Sequence, residues 1–255
     1  MNVSINADMG ESFGTYKMGD DEALMPHISS ANIACGMHAG DPSVMHRTLG
    51  LARRHKVCVG AHPGFNDLQG FGRTRIHMSP KDIEHLVTYQ IGALQALALG
   101  HGLQVDYVKP HGALNNMAHE SREVADAVAR GIRTAGRDLI FVANCLSEMT
   151  GAAARAGLAV VHEAYADRRY CRDGRLMPRS DPSAVIRDPK AAAAHALAML
   201  ETQGLLPDDG ARLATPIDTL CIHGDEATAV AVAKHLRAAL GTADIAVASV
   251  AAMRR

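Results

Sequence analysis

The stretch Ala31-Asn-Ile-Ala-Cys-Gly-Met-His-Ala-Gly-Asp-Pro42 decides the fold class. Ala31 to Cys35 reads as a short β-strand, the two glycines around His38 mark a tight loop, and Asp41-Pro42 supplies the cap and first turn of a helix. Ser43–His55 then continues as an amphipathic helical run. A strand, a polar loop and a helix in that order form the repeating unit of a parallel sheet.

The same unit recurs outward in both directions. Val3–Ala7, Val57–Ala61, Val105–Val108, Leu139–Ala143, Ala159–His162 and Thr219–Ile222 are further strand candidates, with a weaker one at Asp244–Val247. Helical signatures fall between them at Lys81–Leu99, Arg122–Ala135, Lys190–Thr202 and Glu226–Leu240. Seven or eight strand–helix units in one chain fit a closed (β/α) barrel better than an open, doubly wound sheet, which is the alternative. With no Pro/Gly/Ser linker and no internal repeat, residues 1–255 are expected to form one barrel domain. The aperiodic, Arg-, Asp- and Pro-rich segment from Asp167 to Pro189 is expected to be a functional loop.

Composition narrows the function classes. Lys plus Arg is 26 against 27 Asp plus Glu, so no basic field exists to hold nucleic acid. Leu86–Val105 lacks charge but carries too many polar residues for a bilayer span, and the N-terminus has no secretory pattern, so a cytoplasmic location is expected. Five scattered cysteines without a C-x-x-C pair are expected to be reduced. The 14 histidines outnumber Tyr and Phe together, and no Trp is present. Histidine titrates near neutrality and is the commonest metal ligand, so its placement carries the argument.

That placement is systematic. Just past the strand candidates come Asn6, Asp8 and Glu11; His38 and Asp41; His62; Lys109 and His111; Glu163 with Asp167 and Arg168; and His223 with Asp225. In a parallel barrel those ends meet on one face, where the active site of this architecture lies. An aspartate and several imidazoles in one cavity could bind a divalent ion or divide base and acid work. No H-E-x-x-H, P-loop or G-x-G-x-x-G motif is present. Gly70-Phe-Gly-Arg-Thr-Arg75 could clamp a carboxylate or phosphate through Arg73. Bland roles compete: Asp41 reads foremost as a helix cap and Asp225 as a cap before Glu226. His27, His46, His55, His77, His85, His101, His119 and His195 read as structural or solvated.

These blocks together resemble the LamB/YcsF family, the A subunits of bacterial 5-oxoprolinase. The resemblance runs through Asn6-Ala-Asp-Met-Gly-Glu-Ser12, Ala31–Pro42, Gly60-Ala-His-Pro-Gly-Phe65 on to Arg73, Val108-Lys-Pro-His-Gly-Ala-Leu114, Glu163–Tyr170 and His223-Gly-Asp225. Asn115 stands where the family usually has Tyr, Asn66 where it has Pro and Thr74 where Arg is common. The resemblance implies a seven-stranded (β/α) barrel of the glycoside hydrolase/deacetylase type. It also implies ATP-dependent opening of the lactam of 5-oxo-L-proline to L-glutamate, with subunits B and C as partners.

The polar positions carried over are then expected to divide into catalytic groups (Asp8, His38, His62, Lys109, His111, Glu163, His223) and substrate-binding groups (Asn6, Glu11, Arg73, Arg168, Asp225). Asp8, His38 and His62 are the expected ligands should a divalent metal, Mg or Zn, be used. Asp8 is expected as base or ligand, Lys109 and His111 as anion stabilisers, Glu163 or His223 as proton donor, and Arg73 at the substrate carboxylate. A metal-dependent deacetylase or amidohydrolase acting without ATP is the alternative, and a lactam-binding protein without catalysis the third reading. Assembly with a second copy stays open.

Overall fold

A computed structural model describes residues 1–208 and 210–253. Ten strands appear among them: β1 (Asn2–Met9), β2 (Ser30–Ala34), β3 (Cys58–His62), β4 (Tyr107–Val108), β5 (Ile140–Asn144), β6 (Val160–Tyr165), β7 (Gly204–Leu205), β8 (Leu213–Ala214), β9 (Thr219–Ile222) and β10 (Ala246–Val247). Eight α-helices accompany them: α1 (Asp21–Leu24), α2 (Pro42–His55), α3 (Pro80–Gly100), α4 (Gly112–Glu120), α5 (Arg122–Ala135), α6 (Glu148–Ala156), α7 (Pro189–Thr202) and α8 (Ala229–Thr242). No helix of the described residues is long and apolar enough to cross a membrane.

Strands β1 to β6 and β9 pair in parallel, and β9 pairs back onto β1, so the sheet closes as a seven-stranded barrel. That closing pair removes the open-sheet alternative. β10 adds to β1 at Asn2 and Val3, on the edge that β2 takes further along, while β7 and β8 form a separate two-stranded antiparallel hairpin.

Alternation along the strands sorts the side chains. Val3, Ile5, Ala7 and Met9 of β1, Ala31 and Ile33 of β2, and Leu220 and Ile222 of β9 join the large apolar layer beneath the helices. Their neighbours Ser4, Asn6, Asp8, Ser30, Asn32 and Thr219 face one another inside the barrel through hydrogen bonds. The inner column is apolar at the bottom, where Ile140, Val142, Val161 and Tyr107 pack with Val250 and Met253 of a closing 3₁₀ turn. Gly60 of β3 makes room there, because a Cβ would collide with the Tyr107 ring. Upward the column becomes wholly polar.

Several boundaries differ from the sequence reading. β1 and β6 run further than expected, so Asp8 and Glu163 lie within strands, and His62 is the last residue of β3. Helices α4 and α6 and the β7–β8 hairpin have no counterpart in it. Asp41 does cap α2, its Oδ1 accepting from the Ser43 and Val44 amides at 2.8 and 3.0 Å. Asp225 caps nothing: α8 begins at Ala229, and the Asp225 carboxylate pairs instead with Arg73 at 2.6 Å.

Candidate active site

A cavity of about 500 Å³ opens at the C-terminal end of the barrel, with Asp8, His62, Lys109 and His223 at its inner end and Arg73, Arg75, Arg175 and Arg179 among its lining. Asp8 and Lys109 end the inward-facing columns of β1 and β4. Lys109 is 1% exposed, and its Nζ lies 2.8 Å from Asp8 Oδ1, 3.2 Å from Glu163 Oε1 and 2.8 Å from Cys221 Sγ. Burial disfavours the ammonium, but the charges around it, Asp8 foremost, hold its pKa well above the ordinary lysine range. Burial likewise disfavours the Asp8 carboxylate, yet Lys109 and His62 hold it well below the usual aspartate value. The two form a buried, ionised pair. Asp8 Oδ1 also accepts from Asn32 Nδ2 at 2.8 Å. These contacts and the approach of His62 all use this one oxygen, so Oδ2 is the atom left for a water or substrate.

Beside this pair, Glu11, His38, His62 and His111 bring one donor atom each within 4.8 Å of one another. Two of the imidazoles have fixed tautomers. His62 Nδ1 donates to the Lys109 carbonyl at 2.7 Å, and His111 Nε2 donates to the Phe71 carbonyl at 2.8 Å. Their remaining nitrogens therefore face each other at 3.0 Å, and Glu11 Oε1 stands 3.4 Å from His111 Nδ1 and 3.3 Å from His38 Nε2. Burial and the neighbouring imidazoles push the pKa of His38 and of His111 well below the usual histidine value. Burial and the Asp8 charge push Glu11 well above the usual glutamate value. Converging lone pairs of neutral imidazoles repel unless a proton or a cation lies between them. Tetrahedral zinc with ligand bonds of about 2.0–2.1 Å separates its ligands by roughly 3.3 Å, close to these spacings. The donor set fits a divalent ion.

A third group faces the same cavity. His223 Nδ1 donates to Asp167, 3.0 and 3.1 Å from its two oxygens, so the Nε2 lone pair is free for proton transfer. The Tyr165 ring stacks on this imidazole at 5.2 Å.

The family model described as LamB/YcsF matches residues 3–255 of this chain. The chain belongs to the LamB/YcsF family. Among LamB/YcsF relatives, a protein of Azorhizobium caulinodans named as the A subunit of 5-oxoprolinase is 47% identical over 246 residues, 96% of this chain and 97% of its own. One of Pyrococcus abyssi with the same name is 46% identical over 237 residues, 93% of each chain. The crystal structure of a lactam utilization protein from Thermus thermophilus superposes with a TM-score of 0.92 at 43% identity, covering 98% of this chain and all of that one.

The family positions read from the sequence do not all face the cavity. Asp8, His62, Arg73, Lys109, His111, Arg168 and His223 line it; Asn6, Glu11, His38, Glu163 and Asp225 do not. Asn6, expected at the substrate, lies fully buried one layer below and donates to Glu163 and Thr219. Glu11 belongs with the histidines, because the turn at Gly10, φ +67°, brings it back over the barrel end. Glu163 stands behind Lys109, 1% exposed and off the cavity lining, with Oε1 3.2 Å from the ammonium. Arg168 donates to the Ala184 and Met177 carbonyls and so ties down the loop after β6. Asp225 is bound to Arg73 at the mouth. Of the expected ligands, His38 and His62 stand with Glu11 and His111 in a four-residue donor cluster, and Asp8 lies beside it with Oδ1 engaged by Lys109 and Asn32. Asn32 and Tyr165 are site residues that the sequence does not single out; their inward placement on β2 and β6 is a signal that strand parity carries.

Proposed function

We propose that this chain is the A subunit of an ATP-dependent 5-oxoprolinase and opens the lactam of 5-oxo-L-proline to L-glutamate together with subunits B and C in the cytoplasm. Residues 1–255 act in this reading as one barrel domain, of which residues 209, 254 and 255 lie outside the described residues. The observation that carries the reading is the buried Asp8–Lys109 pair on the wall of a cavity, in a chain whose relatives at 46–47% identity bear the name of the 5-oxoprolinase A subunit. The uniformity of that name speaks against the ATP-free deacetylase.

An unactivated amide needs a water made nucleophilic, a cation at the developing oxyanion and a proton for the leaving nitrogen. Asp8 Oδ2 accepts the proton of the attacking water. Lys109 Nζ, held charged, faces the negative charge that gathers on the carbonyl oxygen. His223, steadied by Asp167, takes up a proton from solvent on Nε2 and delivers it to the ring nitrogen, and the proton taken by Asp8 returns to solvent. Arg73 stands at the mouth for the substrate carboxylate. Glu11, His38, His62 and His111 would hold a divalent ion, which when bound supplies a Lewis acid next to Asp8. ATP enters through the assembled enzyme, since this sequence carries no P-loop.

Glutamate release from 5-oxo-L-proline and ATP, with this chain alone and with subunits B and C of the same source, tests the reading. Release from the complete set only is expected. No release from a complete, folded and associated set overturns it.

A further inference from the structure

Arg73, Arg179 and Asp225 come from the loops that follow β3, β6 and β9, and they meet at the mouth of the cavity. Arg73 Nη2 donates to Asp225 Oδ2 at 2.6 Å, and Arg179 Nη2 stands 3.9 Å from Oδ1 of the same carboxylate. Both arginines line the cavity, whereas Asp225 lies off its lining with a side chain 10% exposed. One carboxylate therefore holds two guanidiniums from behind. Each arginine has a second support: Arg179 Nη1 donates to Glu226 Oε1 at 2.9 Å, and the Arg73 guanidinium lies over the Phe71 ring, 5.0 Å from its centre. A guanidinium carries five N–H donors, so these contacts leave donors on both arginines for a ligand. The backbone ties the group to the reacting end of the cavity. Between His223 and Asp225, Gly224 packs so closely on the Asp8 carbonyl oxygen that a Cβ there would collide with it. Asp8, His223 and the carboxylate behind the two arginines are thus set at fixed spacings.

From this we infer that Arg179 is a second carboxylate-binding residue beside Arg73, and that Asp225 is the positioning residue that aims both at the acid group of the lactam. A carboxylate taken between two guanidiniums has both of its oxygens paired. One arginine sets how far the ring stands from Asp8; the second stops it from swinging about its acid group, which keeps the ring nitrogen on the side of His223. The inference rests on the lactam reading above. It adds Arg179 to the substrate contacts and makes Asp225 a support that touches no substrate.

Equilibrium binding of two probes to the full chain tests it: 5-oxo-L-proline, and 5-oxo-L-prolinamide, which keeps the shape and loses the charge. The wild type is expected to favour the acid by about tenfold or more. Arg179→Gln and the isosteric Asp225→Asn are each expected to bring the two probes within about threefold of each other while leaving amide binding within about twofold of the wild type. Thermal unfolding reports that each variant is folded. Asp225→Asn with the acid preference intact overturns the positioning role, and Arg179→Gln with it intact overturns the second contact. Equal loss of both probes in a folded variant also overturns the inference, because the network would then shape the mouth without reading the charge. A wild type that binds acid and amide alike overturns the clamp and leaves the lactam reading standing, whereas one that binds neither removes the lactam site from this chain, and the inference with it.

Discussion

Two pairs of histidines in this molecule touch at nearly the same distance. His62 and His111 meet at 3.0 Å inside the barrel mouth, and His46 and His101 meet at 2.9 Å on the outer surface between α2 and the end of α3. The inner rings are held by carbonyls on their far sides and face a carboxylate, so both lone pairs are aimed and cannot turn away. The outer pair has neither device, and water can replace either partner. Contact between imidazoles is therefore not what makes a site; commitment of the opposite nitrogen and exclusion of water are.

The contrast breaks most violently at the charge beside the inner pair. Lys109→Met leaves Asp8 and Glu163 as buried charges without their counterion. We expect activity in the assembled enzyme to fall about 10³-fold, by glutamate release, and stability to fall by about 3–5 kcal/mol, by urea unfolding. Unaltered stability would mean that the ammonium is not the partner of both carboxylates. At the inner pair itself, His62→Ala is expected to lower activity about 10²–10⁴-fold and to abolish stoichiometric zinc uptake measured on dialysed protein. Zinc retained at full stoichiometry would move the ion elsewhere.

A carboxylate-held histidine sharpens the comparison through pH. Burial opposes the Asp167 carboxylate, but His223 outweighs it and holds the Asp167 pKa below its ordinary value. Its stabilisation is thus fully present above the unfolded aspartate pKa and is lost as pH falls through the lower folded value. Asp167→Asn should cost about 1–3 kcal/mol near neutrality, with the gap to wild type narrowing below about pH 4, by thermal unfolding across the acid range. A gap constant down to the lowest pH would show that the aspartate charge is irrelevant. Smallest is the outer pair: His101→Ala should change stability by no more than about 0.5 kcal/mol and leave glutamate release within about twofold. A larger loss would make the surface pair functional.

The gathering of Asp8, His38, His62, Lys109, His111 and His223 at one barrel end is legible in the sequence because each follows or ends an apolar strand, and parallel strands end together. What each residue does there is less legible. Asn6 and Asp8 share one face of β1 a single layer apart, and that layer separates a buried prop from a group at the cavity. Glu163 reads as a loop residue because Ala159–His162 carries the obvious apolar signal, whereas the strand continues to Tyr165 on cross-strand pairing with β9. Glu11 and His111 are a hundred residues apart, and only the turn at Gly10 joins them. Helix α4 leaves little trace in the sequence because Gly112 opens it at φ +53°, with no side-chain cap to announce it.

The pairing of β1 has a consequence for how the protein is made. One edge of that strand takes β10 at its start and β2 further along, while the other takes β9, and both β9 and β10 lie more than 200 residues later in the chain. During synthesis the first strand emerges with one edge unanswered, and no ring can close until residues 219–222 have left the ribosome. The nascent chain must carry an open, sticky sheet edge for most of its translation, the interval in which a chaperone has the most to protect.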